Sequence, residues 1–376
     1  MSVQRLEGPG AVVALAAALC VLLTGAQPEA KKHRIVVVSS YHREYLWSQD
    51  TQRGALAALL EFKYLDDESQ AREYTASDYV ESSRAVIKKF WMDSKRNDSE
   101  AALAAATGRI VRDIDAFKPD LILLGDDNAA RCIGSHYLDT DRPVVFWGIN
   151  GLPLKYGLLD TLEKPGHNVT GVYQAGYLKE CVVFLKKLVP TIRTFAVLSD
   201  ASETGRAKAK ELEKLAREGQ LPVSLTETVI TNSLAKWKAR TLALQEEVDA
   251  FFVLNHNTLK DEQGNSVDQL QVGAWYLTHV LKPDCGHERQ FVMEGVLACV
   301  DDSGYKQAYQ AVKMGHLILS EQRKPADMPV IAPERGRFIV NRQRARMLGL
   351  EATVKDNPLV EEYVDTAAAL EQRSEK

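Results

Sequence analysis

The sequence lacks the short motifs that mark most nucleotide-dependent and nucleophilic enzymes. No GxGxxG opens a helix after the first strand-like run, and neither a GxxxxGK[ST] loop nor a GxSxG elbow occurs. No two histidines have the spacing of metal ligands, and Cys285 with His287 supplies only two donors. We therefore expect no enzyme activity, no cofactor and no metal site.

Basic clusters are also missing. The 47 Lys and Arg residues nearly balance the 51 Asp and Glu residues, which leaves a net charge of −4. No basic run and no RNA-binding motif indicates a polyanionic partner, so we expect no nucleic acid. With 376 residues, of which 45% are hydrophobic, the chain is long enough for two lobes with separate cores. We expect a monomer.

Cysteine is scarce, with five residues in the whole chain. The four that follow the N-terminal region are Cys132, Cys181, Cys285 and Cys299. They are too few for a disulfide framework in a chain of this length. Cys285 and Cys299 flank the run RQFVMEG, which as a strand would hold them roughly 23 Å apart. We expect free or buried thiols, with a Cys285–Cys299 bridge as the alternative.

Long apolar runs are confined to the N-terminus, where AVVALAAALCVLL occurs. Arg5 precedes this run and small residues up to Ala26 follow it, as in a secretory signal. We expect residues 1–26 to be removed as a signal peptide and the mature protein to be periplasmic. The alternative is an uncleaved anchor. A lipoprotein is disfavoured, because Leu19 is too bulky to precede a lipidated Cys20.

The rest of the chain alternates short apolar runs with amphipathic helical segments. Val, Ile and Phe fill the runs without alternation, which is typical of parallel strands covered on both faces. The predicted strands are RIVVVSS (34–40), DLILLGD (120–126), PVVFWGI (143–149), TFAVLSD (194–200), AFFVLNH (250–256) and RQFVMEG (289–295). Ser99 is the predicted cap of one long helix, and Asn232 or Ser233 that of another. The pattern predicts an α/β fold with doubly wound parallel sheets.

Changes of composition divide the chain into two lobes joined by three crossings. The Gly- and Pro-rich segment GLPLKYGLLDTLEKPGHN follows a predicted strand, and VTGVYQ then begins a new one. Further crossings are predicted near 296–300 and 325–333. The expected division is 32–149 plus 297–327 for the first lobe, and 150–296 plus 328–376 for the second.

Aromatic and polar residues recur where the predicted strands end, and ligands of open parallel sheets bind beyond the carboxyl ends of the strands. The candidate binding residues are Ser40, Tyr41, His42, Trp47, Asp126, Asp127, Trp147, Asn150, Tyr173, Gln174, Asp200, Asn255 and Glu294. Each also has a purely structural interpretation. Trp47 would then cover the rim of the core, Asp127 would cap a helix, and His42 would be a surface histidine.

Several segments in a fixed order resemble the ABC-transporter substrate-binding family, in the branch that includes aromatic amino-acid-binding lipoproteins. They are SSYHREYLWSQDTQRG, DDNAARCIG, PVVFWGINGLPLKYGL, HNVTGVYQ, GHLILSEQRKPADMPV and IVNRQRARMLGL, and they span Arg34 to Asn357. The resemblance implies a type I periplasmic binding protein fold and delivery of a small ligand to a membrane permease and its ATPase. SSYHREYLW and DDNA are also similar to a sub-branch associated with sensor kinases, so a sensing subunit is an alternative role.

The residue types suggest the class of ligand. Tyr41, Tyr45 and Trp47 would form an aromatic wall of a cleft between the lobes, which suits rings and cationic groups. Acidic groups at Asp126, Asp127 and Glu294 would suit an ammonium, and helix N-termini would suit a carboxylate. We expect an amino acid or a related small zwitterion, with a nucleoside-like ring compound as the second choice. An exported α/β hydrolase is the third functional alternative.

Overall fold

Two largely parallel β-sheets organise the computed structural model, which describes residues 31–366. The first sheet has the order β2-β3-β1-β4-β5-β6, and the second β13-β12-β11-β10-β9-β7-β8, within this range. The strands are β1 His33–Ser39, β2 Tyr79–Glu81, β3 Ala85–Trp91, β4 Leu121–Gly125, β5 Val144–Asn150, β6 Val169–Gln174, β7 Thr194–Ser199, β8 Ser224–Ile230, β9 Ala250–Val253, β10 Asp284–Gly286, β11 Ala298–Val300, β12 Phe338–Asn341 and β13 Glu362–Val364. The β2–β3 and β11–β12 pairs are antiparallel, and the other pairings are parallel.

Helices cover both sheets, as expected of a doubly wound α/β fold. They are α1 Leu46–Glu61, α2 Glu68–Ser77, α3 Glu100–Phe117, α4 Asp126–Ala129, α5 Ser135–Tyr137, α6 Leu178–Leu188, α7 Glu203–Arg217, α8 Leu234–Leu244, α9 Gln269–His279, α10 Arg289–Met293, α11 Gly304–Glu321, α12 Arg342–Met347 and α13 Glu351–Val354. Ser99 caps α3 and Ser233 caps α8, each by accepting a backbone N–H of the first turn. Both caps were among those predicted, and the fold class is confirmed.

The prediction that RQFVMEG forms a strand is wrong. Its residues 289–293 form α10. The strand that pairs with β9 and β11 is instead β10, which ends three residues before α10 begins. Phe291 and Val292 are fully buried in the helical conformation. A short apolar run that is buried on all sides cannot be assigned to strand or helix from periodicity alone.

The strand VTGVYQ also lies elsewhere than predicted. It is β6, which pairs in parallel with β5 and therefore belongs to the first sheet. Residues 328–331 stay with this sheet too, because Ile331 bridges Val172 and accepts a hydrogen bond from the N–H of Tyr173. Residues 298–300 form β11 of the second sheet. The chain thus crosses between sheets at about 175–177, 301–303 and 332–337. The predicted lobe boundaries at 150, 297 and 328 are each displaced.

Helix α11 returns to the first lobe as predicted. Ala308, Ala311 and Val312 share a core with Leu121 and Leu123 of β4. It packs closely against α1, where a Cβ on Gly54 would overlap the backbone carbonyl of Tyr305. Glycine is therefore required at this crossing of two helices.

Asp301 and Asp302, in the second crossing, are hydrogen-bonded to the first and third crossings. A carboxylate oxygen of Asp302 accepts a hydrogen bond from the N–H of Gly176 at 2.6 Å. The backbone carbonyl of Asp301 accepts one from the N–H of Gly336 at 2.7 Å. Both acids are buried, and burial raises the pKa of Asp301 to about 8 and that of Asp302 to about 7. Neighbouring acids contribute further to both shifts.

Other predictions have different outcomes. Residues 1–26 lie outside the described range, so the signal peptide stays a prediction. None of the helices between residues 31 and 366 is long and apolar enough to span a membrane. Cys285 and Cys299 are both free and buried, as expected. The alternative, a disulfide bridge between them, is not formed. In the second sheet Cys285 lies opposite Ala298, one residue out of register with Cys299.

Candidate functional site

Three aromatic side chains cluster where β1 ends and α1 begins. Tyr41, Tyr45 and Trp47 are each less than one-tenth exposed and pack on one another. The rings of Tyr41 and Tyr45 meet edge to face, with centroids 5.2 Å apart. The ammonium of Lys95, which follows β3, lies over the ring of Tyr41 at 4.6 Å from the centroid. The three aromatic side chains expected to form a cleft wall therefore cluster in the first lobe, and that they bind a ligand stays a prediction.

Asp126 stands beside this cluster at the carboxyl end of β4. The indole N–H of Trp47 donates to its carboxylate at 2.7 Å. Burial raises the pKa of Asp126 well above its usual range, and the neighbouring charge of Asp127 adds to the shift. Its backbone has a positive φ of 70°. Such a conformation is uncommon outside glycine and is often found at binding sites.

The second lobe reaches the aromatic cluster through two amides. Asn257 Nδ2 donates to Tyr45 Oη at 2.7 Å, and Gln290 Nε2 donates to the same oxygen at 3.0 Å. Glu294 lies close enough for its charge to contribute to the raised pKa of Tyr45, after burial and Glu288. The hydroxyl of Tyr45 therefore forms a buried polar contact between the two lobes.

A buried ion pair lies next to this contact. His256 Nε2 and Glu294 Oε2 are 2.8 Å apart, and both side chains are almost completely buried. Burial disfavours the charged imidazole, but the adjacent carboxylate outweighs it and raises the pKa of His256. The other carboxylate oxygen of Glu294 has no hydrogen-bond partner among the described residues. The same is true of the side-chain oxygens of Asn257 and Gln290.

Asp127 is held by hydrogen bonds and an ion pair with three nearby side chains. Its carboxylate accepts hydrogen bonds from Asn150 Nδ2 at 2.6 Å and Tyr156 Oη at 2.7 Å, and Lys155 Nζ lies 3.0 Å away. The side chain does not cap α4, whose N-cap residue is Gly125. Asn150 also reaches across to Thr204 of the second lobe, at 3.4 Å. The capping interpretation is therefore wrong, and the pair Asp127–Asn150 lies at the cleft.

A cleft of about 410 Å³ opens between the lobes beside Tyr41. The first lobe lines it with Tyr41, Lys95 and Asp127, and the second lobe with Ser202, Thr204 and Thr258. A second cavity of about 280 Å³ lies on the other side of the cluster, between Trp47 and Gln290. The first volume is in the range that holds small-molecule ligands.

Some candidates lie away from the cleft. Trp147 is packed into the core of the first lobe between its sheet and α11. His42 turns toward Asp93, with Nδ1 3.3 Å from the carboxylate. Tyr173 is half-buried against the core on the opposite face of the first sheet. The alternation of side chains along a strand explains why a residue at a strand end can still point into the core.

The remaining candidates have fixed roles in the fold. The carboxylate of Asp200 accepts three hydrogen bonds, two from Ser202 and one from the N–H of Thr258, and so fixes the turn after β7. The hydroxyl of Ser40 accepts a hydrogen bond from the N–H of Ala129 and thereby holds the last residue of α4. Asn255 lies in the turn after β9.

Gln174 crosses between the lobes. It is the last residue of β6 in the first sheet, and its Nε2 donates to a carboxylate oxygen of Glu288 at 2.7 Å. The carboxylate of Glu288 also lies 3.0 Å from His287 Nε2. This contact connects the first crossing to the loop before α10.

Lys95 and Gln290 were absent from the sequence-based candidates. Lys95 follows β3, whose sequence AVIKKFW carries two lysines and does not read as a buried strand. Gln290 lies in RQFVMEG, which the sequence predicts to be a strand. Their positions at the site depend on β3 and α10, which the sequence pattern does not predict. Within residues 31–366, no group of three or more potential ligands could hold a metal ion.

Comparison with known proteins identifies the family. The model of the family described as "ABC transporter substrate binding protein" matches residues 84–362, which is most of the chain. The chain belongs to this family. Its two lobes and inter-lobe cleft thus belong to an ABC transporter substrate-binding protein, and the resemblance seen in the sequence is confirmed.

Individual relatives of this substrate-binding protein are distant. A tyrosine-binding protein of Clostridioides difficile is 22% identical over 218 residues, which is 58% of this chain and 60% of that relative's length. A domain from Streptococcus pneumonia, solved in complex with L-Trp, has a TM-score of 0.66 and 23% identity over 89% of this chain and 100% of that one. An open, ligand-free substrate-binding protein from Clostridium difficile has a TM-score of 0.62 and 20% identity over 89% and 99% of the two chains. At these identities the structural likeness establishes the fold.

Proposed function

We propose that this protein is exported and binds an aromatic amino acid in the cleft between its lobes for delivery to an ABC importer. The observation that carries this proposal is the contact between the two lobes beside the cleft. One lobe contributes an aromatic cluster, and the other contributes buried polar groups that contact it through Tyr45. Closure of the lobes around a ligand would desolvate both sets together.

The polar groups suit the ammonium of an amino acid. Glu294 Oε1, Asn257 Oδ1 and Gln290 Oε1 are buried acceptors without a donor in the described part of the chain. An ammonium offers three donors, and leaving buried acceptors unsatisfied costs free energy. The ring of Tyr41 adds a flat apolar surface, which binds rings at little entropic cost.

The relatives support the same ligand class. One curated relative is named for binding tyrosine, and one structural relative was solved with L-Trp. Membership of the family supports delivery to a permease. The N-terminal apolar run supports export. N-terminal sequencing of the exported protein tests the latter: we expect Gln27 at the start, and an intact Met1 would contradict cleavage.

Isothermal titration with the amino acids tests the ligand class. We expect L-tryptophan or L-tyrosine to bind, and Tyr41→Ala to weaken that binding about 30-fold, because truncation of a desolvated aromatic contact costs about 2 kcal/mol. Tyr79→Ala is the matched control, since Tyr79 lies exposed on β2 and should leave the affinity unchanged. Absence of binding by any amino acid would overturn the ligand class. Turnover of a bound compound would instead indicate a hydrolase.

A further inference from the structure

We propose that Lys95 binds the carboxylate of the ligand and that the N-terminus of α7 completes this anion site from the other lobe. The inference rests on the proposed function, which it makes more specific. The anionic end of the ligand would then connect the lobes directly, and a carboxylate would be required for tight binding.

Lys95 is a buried cation without a counter-ion. It is 8% exposed, it lines the 410 Å³ cleft, and no carboxylate of the described chain lies within ion-pair distance of its ammonium. Its contacts are with aromatic faces, at 4.6 Å from the centroid of Tyr41 and 5.6 Å from that of Tyr45. Burial of an unpaired ammonium is costly, so an incoming anion would be bound strongly there.

The second half of the site comes from helix α7. Ser202 caps this 15-residue helix by accepting the N–H of Gly205. The N–H groups of Glu203 and Thr204 lie in the first turn and have no acceptor within the helix. Ser202, Glu203 and Thr204 all line the same cleft as Lys95. The partial positive charge of a helix N-terminus favours an anion at this position.

The acids of the cleft are already bound by other groups. Glu203 pairs with Lys155 and also accepts the hydroxyl of Tyr156, and Glu100 pairs with Arg131. Asp127 has the partners described above. Asp126 is buried with a raised pKa, which favours its neutral form. None of these carboxylates lies within ion-pair distance of Lys95, and Asp126 is only near enough for the charge of Lys95 to lower its raised pKa.

The exposed charges of the cleft do not change this balance. Asp98 and Arg206 both line it from exposed positions and carry opposite charges. Solvent screens such exposed groups, so each contributes little to the binding of an anion. The buried ammonium and the helix N-terminus are left as the groups that select for a carboxylate.

Binding of L-tryptophan and tryptamine by titration calorimetry tests the inference. Tryptamine has the same ring and ammonium but no carboxylate. We expect the wild type to bind L-tryptophan at least about 30-fold more tightly than tryptamine, because a desolvated charge pair contributes about 2 kcal/mol or more. Lys95→Met keeps the length of the side chain on Tyr41 and should remove most of this difference. Lys95→Arg should keep it within about tenfold.

Lys88→Met is the matched control. Lys88 lies on the neighbouring strand β3, with its ammonium 4.8 Å from the ring of Phe117 and away from the cleft. The same change of charge and loss of a cation–π contact should there leave both affinities unchanged. Equal loss of L-tryptophan and tryptamine binding in Lys95→Met, or no loss of either, would overturn the assignment of the carboxylate to Lys95.

A second measurement separates this inference from the ligand class and follows anion binding on the wild-type protein, with a variant needed only for assignment. Lysines of the wild type are ¹³C-methylated, and the resonance of Lys95 is assigned by its absence from Lys95→Arg. If no amino acid binds, the proposed ligand class is wrong, and acetate then serves as the minimal carboxylate. A saturable shift of the Lys95 resonance with acetate supports the anion site. An unchanged resonance overturns it.

Discussion

The side-chain amide of Asn257 in the second lobe donates a 2.7 Å hydrogen bond to the hydroxyl of Tyr45 in the first. Gln290 donates a second hydrogen bond to the same oxygen. A single hydroxyl group thus accepts from two residues that are far from it in the chain, one in the loop after β9 and one in α10 of the other lobe. Because both amides are buried, separation of the lobes must expose all three groups together. We therefore expect this contact to couple occupation of the cleft to the relative position of the lobes.

Tyr45→Phe should weaken ligand binding about tenfold. The change removes the acceptor but keeps the ring, so two buried amide donors lose their partner in the closed state. Titration calorimetry with L-tryptophan measures the effect. Tyr137→Phe is the control, since that hydroxyl donates to Asp115 in the first lobe away from the cleft. Wild-type affinity in Tyr45→Phe would show that this hydroxyl does not stabilise closure.

Trp147→Ala should reduce stability rather than remove a direct ligand contact. The indole is 2% exposed in the core of the first lobe, where its truncation should lower the free energy of unfolding by about 3–5 kcal/mol. Urea unfolding followed by circular dichroism measures this change. Unchanged stability combined with a large loss of affinity would return Trp147 to the binding site.

Arg344→Met should destabilise the second lobe. The guanidinium of Arg344 is fully buried, binds Asp284 at 2.6 Å, and also donates to the backbone carbonyls of Val280 and Lys282. Removal of one partner leaves a buried carboxylate unpaired, which typically costs about 3–5 kcal/mol. Thermal unfolding checks the expectation. Arg240→Met, which breaks an exposed pair with Glu227, should produce no comparable shift.

The free energy of unfolding should fall as pH rises from about 4 to about 8, through the range set by the acids at the crossings. Burial raises the folded-state pKa of Asp301 to about 8 and that of Asp302 to about 7, whereas both ionise near 3.8 when unfolded. A raised folded-state pKa gives stability that is present in full below the unfolded pKa. That stability is lost as pH rises through the folded pKa.

Asp301→Asn tests this pH dependence. The amide oxygen can still accept the N–H of Arg289, which Asp301 binds at 2.9 Å, but the side chain cannot ionise. The stability of the variant relative to the wild type should therefore increase between pH 4 and pH 8, by about 1 kcal/mol or more. Chemical unfolding at several pH values measures the difference. A difference that is constant across this range would contradict the shifted ionisation of Asp301.

Much of the fold could be predicted because its central strands are buried on both faces. Runs such as IVVV (35–38) and LILL (121–124) are apolar throughout, and this composition separates a doubly wound sheet from an amphipathic one. Edge strands carry less information. The strand β8 has the sequence SLTETVI and is largely half-exposed, so its pattern is close to that of a loop. The three-residue strands β10 and β11 depend on their neighbours for pairing.

The candidate site was predictable only in part. Tyr41, Tyr45 and Trp47 adjoin one strand end, so their clustering follows from the local sequence. The partners of Tyr45 come from residues 257 and 290, more than 200 positions away. Their contact depends on how the chain crosses between sheets, and the sequence predicts the first crossing after residue 150 instead of near Gly176. Trp147 was misplaced because one residue of register decides which face of the sheet a side chain occupies.

Small-angle X-ray scattering with and without ligand tests most directly whether the two lobes close on a molecule bound between them. Calorimetry first establishes the concentration of L-tryptophan or L-tyrosine that saturates the protein. At saturation we predict a smaller radius of gyration than in the ligand-free protein, because the crossings at 175–177, 301–303 and 332–337 allow the lobes to move as units. A radius of gyration that stays unchanged at saturating ligand would contradict closure around the cleft.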